Sequence, residues 1–343
     1  MRRKKGKSGL FLGLFVTFLL LILELSYETL NTYEPEQAEP PKLLSAQLGD
    51  DLTQTILSAI GSAKESVHLS VFNLSDHKVI SALNKKAAEG VPVFLYTDAN
   101  ASWQGIKSLK KNIRVHLWKK GALMHQKILL IDQNAVYLGS ANFSWRSLNI
   151  HRNLVLAFKS PDAANFLLTH LENSDKGKEF QEEFSKMIVV GGQRAKLILF
   201  PSKQDKVREV QKLIDGAKKT IRIAMYTWTR EDFAQSCAKA KQRGVDVEVV
   251  LDRSVIQRTP NPVIQALVKG RVPTLIYQGP GLLHHKFLYV DSTKLLTGSA
   301  NWTKAAFTQN RESNILLEEL TPEQKETLEK LWQDLKQESK LLQ

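Results

Sequence analysis

The sequence predicts an α/β protein made of two pseudo-symmetric α-β-α halves, each on a mostly parallel central sheet. Three observations predict it: an internal repeat, short apolar runs alternating with helical patterns, and glycines that close equivalent helices. Ala63 to Asn100 lies over Ala217 to Ser254 without a gap, setting AKESVHLSVF above AKKTIRIAMY and EGVPVFLYTD above RGVDVEVVLD. Each half reads as a helix, a buried strand (Val67 to Phe72; Ile221 to Tyr226), a second helix, and a second strand (Pro92 to Thr97; Asp246 to Leu251). Gly90 and Gly244 end the helices between the strands. After an insertion in the second half, around Thr259 to Gly281, the repeat resumes with Met124 to Ser144 against His284 to Thr303. The halves are expected over residues 43–190 and 191–343. Charge-rich helical patterns from Pro161 to Met187 and from Pro322 to Leu342 are expected to close each half as solvated amphipathic helices.

Ahead of the repeat, a basic cluster precedes the apolar run Leu10 to Leu23, which Glu24 interrupts. Residues 1–25 read as a signal anchor or a signal peptide, and the lack of a small-x-small cleavage pattern favours an uncleaved anchor. The basic flank would stay cytoplasmic and place the rest across the membrane, or the rest would be secreted if the segment is cleaved. Residues 26–42 contain YEPEQAEPPK (Tyr33 to Lys42), with little to bury, and read as an extended linker.

The chain carries 48 lysines and arginines against 35 aspartates and glutamates, a net charge of +13. Five of those cations lie in the first seven residues, and the remainder stays basic, which suits phosphate-bearing partners: an anionic bilayer or nucleic acid. Cys237 is the single cysteine, so an intramolecular disulfide and a cysteine-rich metal site are excluded. It falls in a predicted helix, Asp232 to Arg243, as a packing residue.

The chemistry sits in the resumed repeat. Both segments satisfy H-x-K-x(4)-D-x(6)-G-S-x-N: His125, Lys127, Asp132, Gly139, Ser140 and Asn142, then His284, Lys286, Asp291, Gly298, Ser299 and Asn301. Residues two apart on a strand share a face, so His125 projects with Lys127 and His284 with Lys286. Two such presentations facing each other make a site for a phosphodiester. The lysines hold the nonbridging oxygens and stabilise charge at phosphorus, so no metal is required. One neutral imidazole attacks phosphorus while the other, protonated, gives its proton to the departing alcohol. Asp132 and Asp291 lie seven positions from their histidines, on the opposite face, and take supporting roles within the motif. Ser140, Asn142, Ser299 and Asn301 follow glycine turns and are candidates to bind phosphate or fix the histidines.

The duplicated motif resembles the signature of the phospholipase D superfamily, and the resemblance covers nearly everything from Leu43 onward. It implies the phospholipase D fold, a phosphohistidine intermediate and independence from cofactors, with His125 as nucleophile and His284 as acid. Glu312 matches a downstream acidic residue that the family uses to orient a motif histidine, whereas its first-half equivalent is Asn153. The superfamily's breadth leaves three activities open: a phospholipase D acting on membrane phospholipids, an anchored nuclease cutting DNA or RNA, and a phosphatidyltransferase such as a cardiolipin synthase. Since the two halves complete one site, a monomer suffices.

A lysine two residues from each motif histidine repels a cation, so zinc is not expected. His285 should face away from the site, and His68, His77, His116 and His170 should be surface or packing residues. Trp145, Trp228 and Trp302 lie near the motif ends, and core packing is expected of them.

Overall fold

A computed structural model of the chain describes residues 32–119, 121–175, 184–201, 206–256 and 261–342. The expected anchor, residues 1–25, lies outside the described residues; among the described residues no helix is long and apolar enough to cross a membrane. In the first half, β1 (Lys42–Leu44) leads into α1 (Leu52–Ser62), β2 (Val67–Val71), α2 (His77–Ala88), β3 (Val93–Asp98), α3 (Trp103–Lys107) and β4 (Arg114–Trp118). The motif hairpin β5 (Lys127–Ile131) and β6 (Ala135–Gly139) follows, then α4 (Trp145–Asn149), β7 (Val155–Lys159) and α5 (Pro161–Asp175). The second half begins with the hairpin β8 (Ser185–Val190) and β9 (Gln193–Phe200) and continues through α6 (Lys206–Gly216), β10 (Thr220–Met225), α7 (Glu231–Gln242), β11 (Asp246–Leu251) and α8 (Pro262–Lys269). It ends with β12 (Thr274–Tyr277), the second motif hairpin β13 (Lys286–Val290) and β14 (Lys294–Gly298), α9 (Lys304–Thr308), β15 (Glu312–Leu317), α10 (Pro322–Gln337) and β16 (Ser339–Leu341).

The α/β class and the pairing of two halves hold, while the sheets are mixed rather than mostly parallel. Only β2-β3-β4 and β10-β11-β12 run parallel, inside sheets ordered β1-β7-β6-β5-β2-β3-β4 and β16-β12-β11-β10-β13-β14-β15-β9-β8. The motif strands cannot be parallel, because three-residue turns join β5 to β6 and β13 to β14, and so short a connection permits only an antiparallel hairpin. Asp132, Gln133, Asp291 and Ser292 turn the chain at φ near +50°.

Helices α1 and α2 cover the outer face of the first sheet, and α6, α7 and α8 that of the second. A third core lies between the two sheets and belongs to both halves. Helices α5 and α10 insert there through Ala163, Ala164, Leu167 and Leu171, and through Leu328, Leu331, Trp332 and Leu335, in each case an apolar stripe at helical spacing. They are therefore amphipathic as expected but half-buried rather than solvated. Both run short of their expected ends: Ser185 to Met187 and Ser339 to Leu341 are strands. Because β8 pairs with β9 at the edge of the second sheet, the structural border falls before Ser185 rather than at residue 190.

The described part of the linker is docked rather than extended free. Pro35 and Pro41 are buried, Lys42 pairs with Glu323, and the Pro41 carbonyl accepts from Gln324 Nε2 at 2.7 Å. Proline rings and Tyr33 carry more apolar area than their acidic neighbours suggest, and that area is what packs.

Candidate active site

The register places the two motifs. Lys127 lies opposite Val71 and Lys286 opposite Met225, so each hairpin begins where the parallel strands of its sheet end. The segments just before the hairpins are then stitched across the pseudo-twofold axis. His125 N–H donates to the Arg311 carbonyl at 2.9 Å and Arg311 N–H to the Leu123 carbonyl at 2.9 Å; His284 N–H donates to the Arg152 carbonyl at 2.9 Å and Arg152 N–H to the Leu282 carbonyl at 2.9 Å. Each histidine is thereby delivered to a side chain of the opposite half.

His125 Nδ1 donates to both carboxylate oxygens of Glu312, at 2.9 and 2.8 Å. Glu312 is fully buried and also accepts from Ser299 Oγ at 2.6 Å and Asn310 Nδ2 at 3.3 Å. The mirrored site replaces the carboxylate with an amide: His284 Nδ1 donates to Asn153 Oδ1 at 2.9 Å, and Ser140 Oγ donates to the same oxygen at 2.8 Å. Asn153 Nδ2 donates to the Ser147 carbonyl at 2.8 Å, which fixes the amide with its oxygen toward the histidine. With Nδ1–H committed in both rings, Nε2 is the atom each histidine presents for chemistry. Lys127 Nζ donates to the His125 carbonyl at 2.5 Å, and Lys286 Nζ to that of His284 at 2.7 Å. Phe72 and Tyr226, equivalent in the repeat, place their rings 5.1 Å from His125 and 4.9 Å from His284.

The electrostatics follow from burial. Burial lowers Lys127 to about 7, with Glu312 opposing, and takes Lys286 well below the ordinary lysine value, helped by the like charge of Lys127. Burial also holds His284 well below its usual 6.5, with Lys286, Lys127 and His125 adding to the effect. His125 is lowered chiefly by burial, and Glu312 pulls it back up. The cations of one motif thus bear on the histidine of the other, Lys286 on His125 and Lys127 on His284. Two lysines and two imidazoles are buried here with Glu312, and Asp252 also acts on Lys286, so the basic groups outnumber the carboxylates and the complement that relieves their repulsion is an anion.

The site therefore brings together His125, Lys127, His284, Lys286, Ser140, Ser299 and Glu312. The two serines orient the histidines' partners from behind. Asp132 and Asp291 stay apart from it, at the far ends of β5 and β13. Asp132 accepts from the backbone of Lys64, Glu65 and Ser66 at 2.8–3.0 Å, and Asp291 from Lys218, Lys219 and Thr220 at 2.6–2.9 Å. They tie the hairpin turn to the loop that starts β2 or β10, away from the two histidines. Asn142 and Asn301 each keep a buried Oδ1 without a partner among the described residues, a matched pair beside the site.

His285 faces away, as expected, fully buried with Nε2 3.3 Å from Gln47 Oε1. Trp228 and Trp302 are buried against each other, ring centroids 4.5 Å apart. Trp145 departs from the expectation of core packing: it is 59% exposed, because it starts a short helix that leaves the sheet. Phe72 and Tyr226 are site residues that motif reading missed, and Asn153, known from the repeat as the counterpart of Glu312, serves His284 rather than His125. The aromatics carried a usable signal, since the ungapped repeat already placed them opposite each other at the ends of equivalent strands.

The family model described as "Cardiolipin synthase, PLD-like domain" matches residues 56–174 and 210–337. A cardiolipin synthase of Clostridium perfringens is 26% identical over 316 residues, covering 78% of this chain and 65% of that protein. A mitochondrial cardiolipin hydrolase of Xenopus laevis is 30% identical over 121 residues, 35% of this chain and 57% of that protein. The chain thus spans less than two thirds of the length of these curated relatives. Among solved structures, the phosphatidylserine synthase of Haemophilus influenzae Rd KW20 shares the fold with a TM-score of 0.67 at 13% identity, covering 90% of this chain and 88% of that one. With the family model matched in both halves and both motifs meeting in one site, the chain belongs to the phospholipase D superfamily.

Proposed function

We propose that this protein cleaves the phosphodiester of membrane phospholipids through a phosphohistidine on His125. The observation that carries the reading is the meeting of two buried histidine and lysine pairs in one site, with one histidine held by the Glu312 carboxylate and the other by the Asn153 amide. In the first step His125 Nε2 bonds to phosphorus, the bond from phosphorus to the headgroup oxygen breaks, and His284 gives that oxygen its Nε2 proton. Positive charge then stays on the phosphorylated ring for the life of the intermediate, and Glu312, holding Nδ1–H, offsets it. In the second step His284 takes a proton from water, whose oxygen displaces the imidazole. An amide partner suits His284, which has to release a proton readily and then recover it. The bound phosphodiester anion restores the proton affinity that burial and the lysines remove.

The phospholipid assignment draws support from the description of the matched family model, from the cardiolipin enzymes among the relatives and from the apolar run before Glu24, which we take as a membrane anchor with the catalytic part on the non-cytoplasmic side. A second reading, transfer of the phosphatidyl group to an alcohol in place of water, is favoured by the cardiolipin synthase likeness over 78% of the chain. The test uses the full chain and His125→Ala with chelator present, on phosphatidylglycerol vesicles and on single- and double-stranded DNA and RNA. Phosphatidic acid formed by the wild type alone supports hydrolysis; cardiolipin with free glycerol supports transfer. Cleavage of nucleic acid alone, or activity surviving in the variant, contradicts the proposal.

A further inference from the structure

The stretch between Asp98 and Asp132 holds seven lysines and arginines and no carboxylate, and none follows between Asp132 and Asp162. Asp132 itself is turned to the far end of the sheet, pinned to residues 64–66. The loops of this stretch lie at the site end. Strands β2, β3 and β4 are parallel, with Val71 opposite Lys127 and Asp98 opposite Trp118, so the chain after β3, after β4 and after β6 emerges beside His125.

Large apolar side chains are exposed on these same segments: Trp103 at 50%, Leu117 at 41%, Leu123 at 40% and Trp145 at 59%. They form one crust rather than scattered positions. Gly105 of α3 packs on the Leu74 carbonyl, Leu74 bridges to Phe143, and Trp145 follows two residues later. Leu123 is two residues from His125, and its amide donates to Asn310 of the second half at 3.2 Å, at the lip of the site. Exposed Lys107, Lys119 and Arg146 lie among them, with Lys107 Nζ 3.7 Å from the Trp103 ring centroid. Among the described residues the second half is less apolar at this end: Lys304 stands where the first half has Trp145, Trp302 is buried, and Ile256, at 42%, is the exposed apolar side chain after β11.

Indole partitions to the boundary between headgroup and acyl chain, aliphatic side chains enter it, and lysine and arginine reach anionic headgroups. A nucleic-acid platform would use the same cations and the tryptophans, but exposed Leu117 and Leu123 have no base to stack on. We propose that this crust docks on an anionic bilayer and sets the mouth of the site against the headgroups; the inference rests on the phospholipid reading and names the surface that reading requires.

All six tryptophans lie outside residues 1–31, so their fluorescence is blind to insertion of the apolar N-terminal run. The experiment places the full chain in vesicles containing brominated phosphatidylglycerol and measures quenching against unbrominated vesicles. We expect quenching that is largely lost in Trp103→Phe/Trp145→Phe, and lost in Lys107→Glu/Lys119→Glu/Arg146→Glu although the protein stays vesicle-bound. Equal emission in both vesicles, quenching that persists in the double phenylalanine variant, or a response only to a single-stranded oligonucleotide overturns the proposal. Quenching needs no turnover, so it can fail while the phosphodiesterase test with His125→Ala succeeds.

Discussion

Glu312 and Asn153 hold equivalent positions in the repeat, yet one gives its histidine a carboxylate and the other an amide. The sequence displayed this difference, but not which histidine each residue serves. Repeat logic pairs Asn153 with His125, and only the exchange of backbone hydrogen bonds at Arg152 and Arg311 sends it to His284. An acidic partner at 153 would hold the proton on His284 to higher pH. Asn153→Asp should therefore move the alkaline limb of kcat/KM for phosphatidylglycerol in mixed micelles upward by roughly 1–3 pH units, as an opposite charge at hydrogen-bond distance does. A limb that stays in place would show that His284 is not the group losing its proton there.

At the scale of elements, strand parity did what periodicity can do. It placed His125 with Lys127, turned Asp132 and Asp291 away, and found β2, β3, β10 and β11 to within a residue or two. It failed at the sheet edges: β1 and β16 are three-residue strands whose partners lie far along the chain, and β8, which pairs with β9 across a tight turn, reads in part as the end of a helix. The aspartate turns explain a repeated motif residue without chemistry. Asp132→Ala leaves backbone N–H groups of Lys64, Glu65 and Ser66 without their acceptor, and should cost roughly 1–3 kcal/mol in urea unfolding while the native protein keeps most of its kcat. A large fall in kcat with unchanged stability would give Asp132 a part in the chemistry.

For the whole molecule, the repeat suggested two domains and the structure gives a shared core, since α5 and α10 each insert between the sheets. No single window of sequence contains that information, because the apolar stripe of a helix states that it is covered and not by what. The core and its edges also bury imidazoles. His68 is held near 4 by burial and the neighbouring His116, and His170 and His285 near 3, chiefly by burial. All three lie below the unfolded value of 6.5. The unfolded chain therefore binds protons that the folded one refuses, and stability present above pH 6.5 is lost as pH falls toward 4 and below. Thermal unfolding should show a transition temperature that drops steadily over this window, with a shallower slope in His68→Gln. A flat profile would mean these rings keep their ordinary proton affinity in the fold.

The central claim is that one site, built from both halves, uses His125 as nucleophile and His284 as acid. His284→Ala treated with bis(p-nitrophenyl) phosphate tests it most directly, because p-nitrophenolate departs without a proton while the second step still lacks its base. Peptide mass spectrometry should then find a p-nitrophenyl phosphoryl group accumulated on His125, with one equivalent of p-nitrophenolate released and little further turnover. No adduct at His125, or an adduct on another residue, would contradict the account.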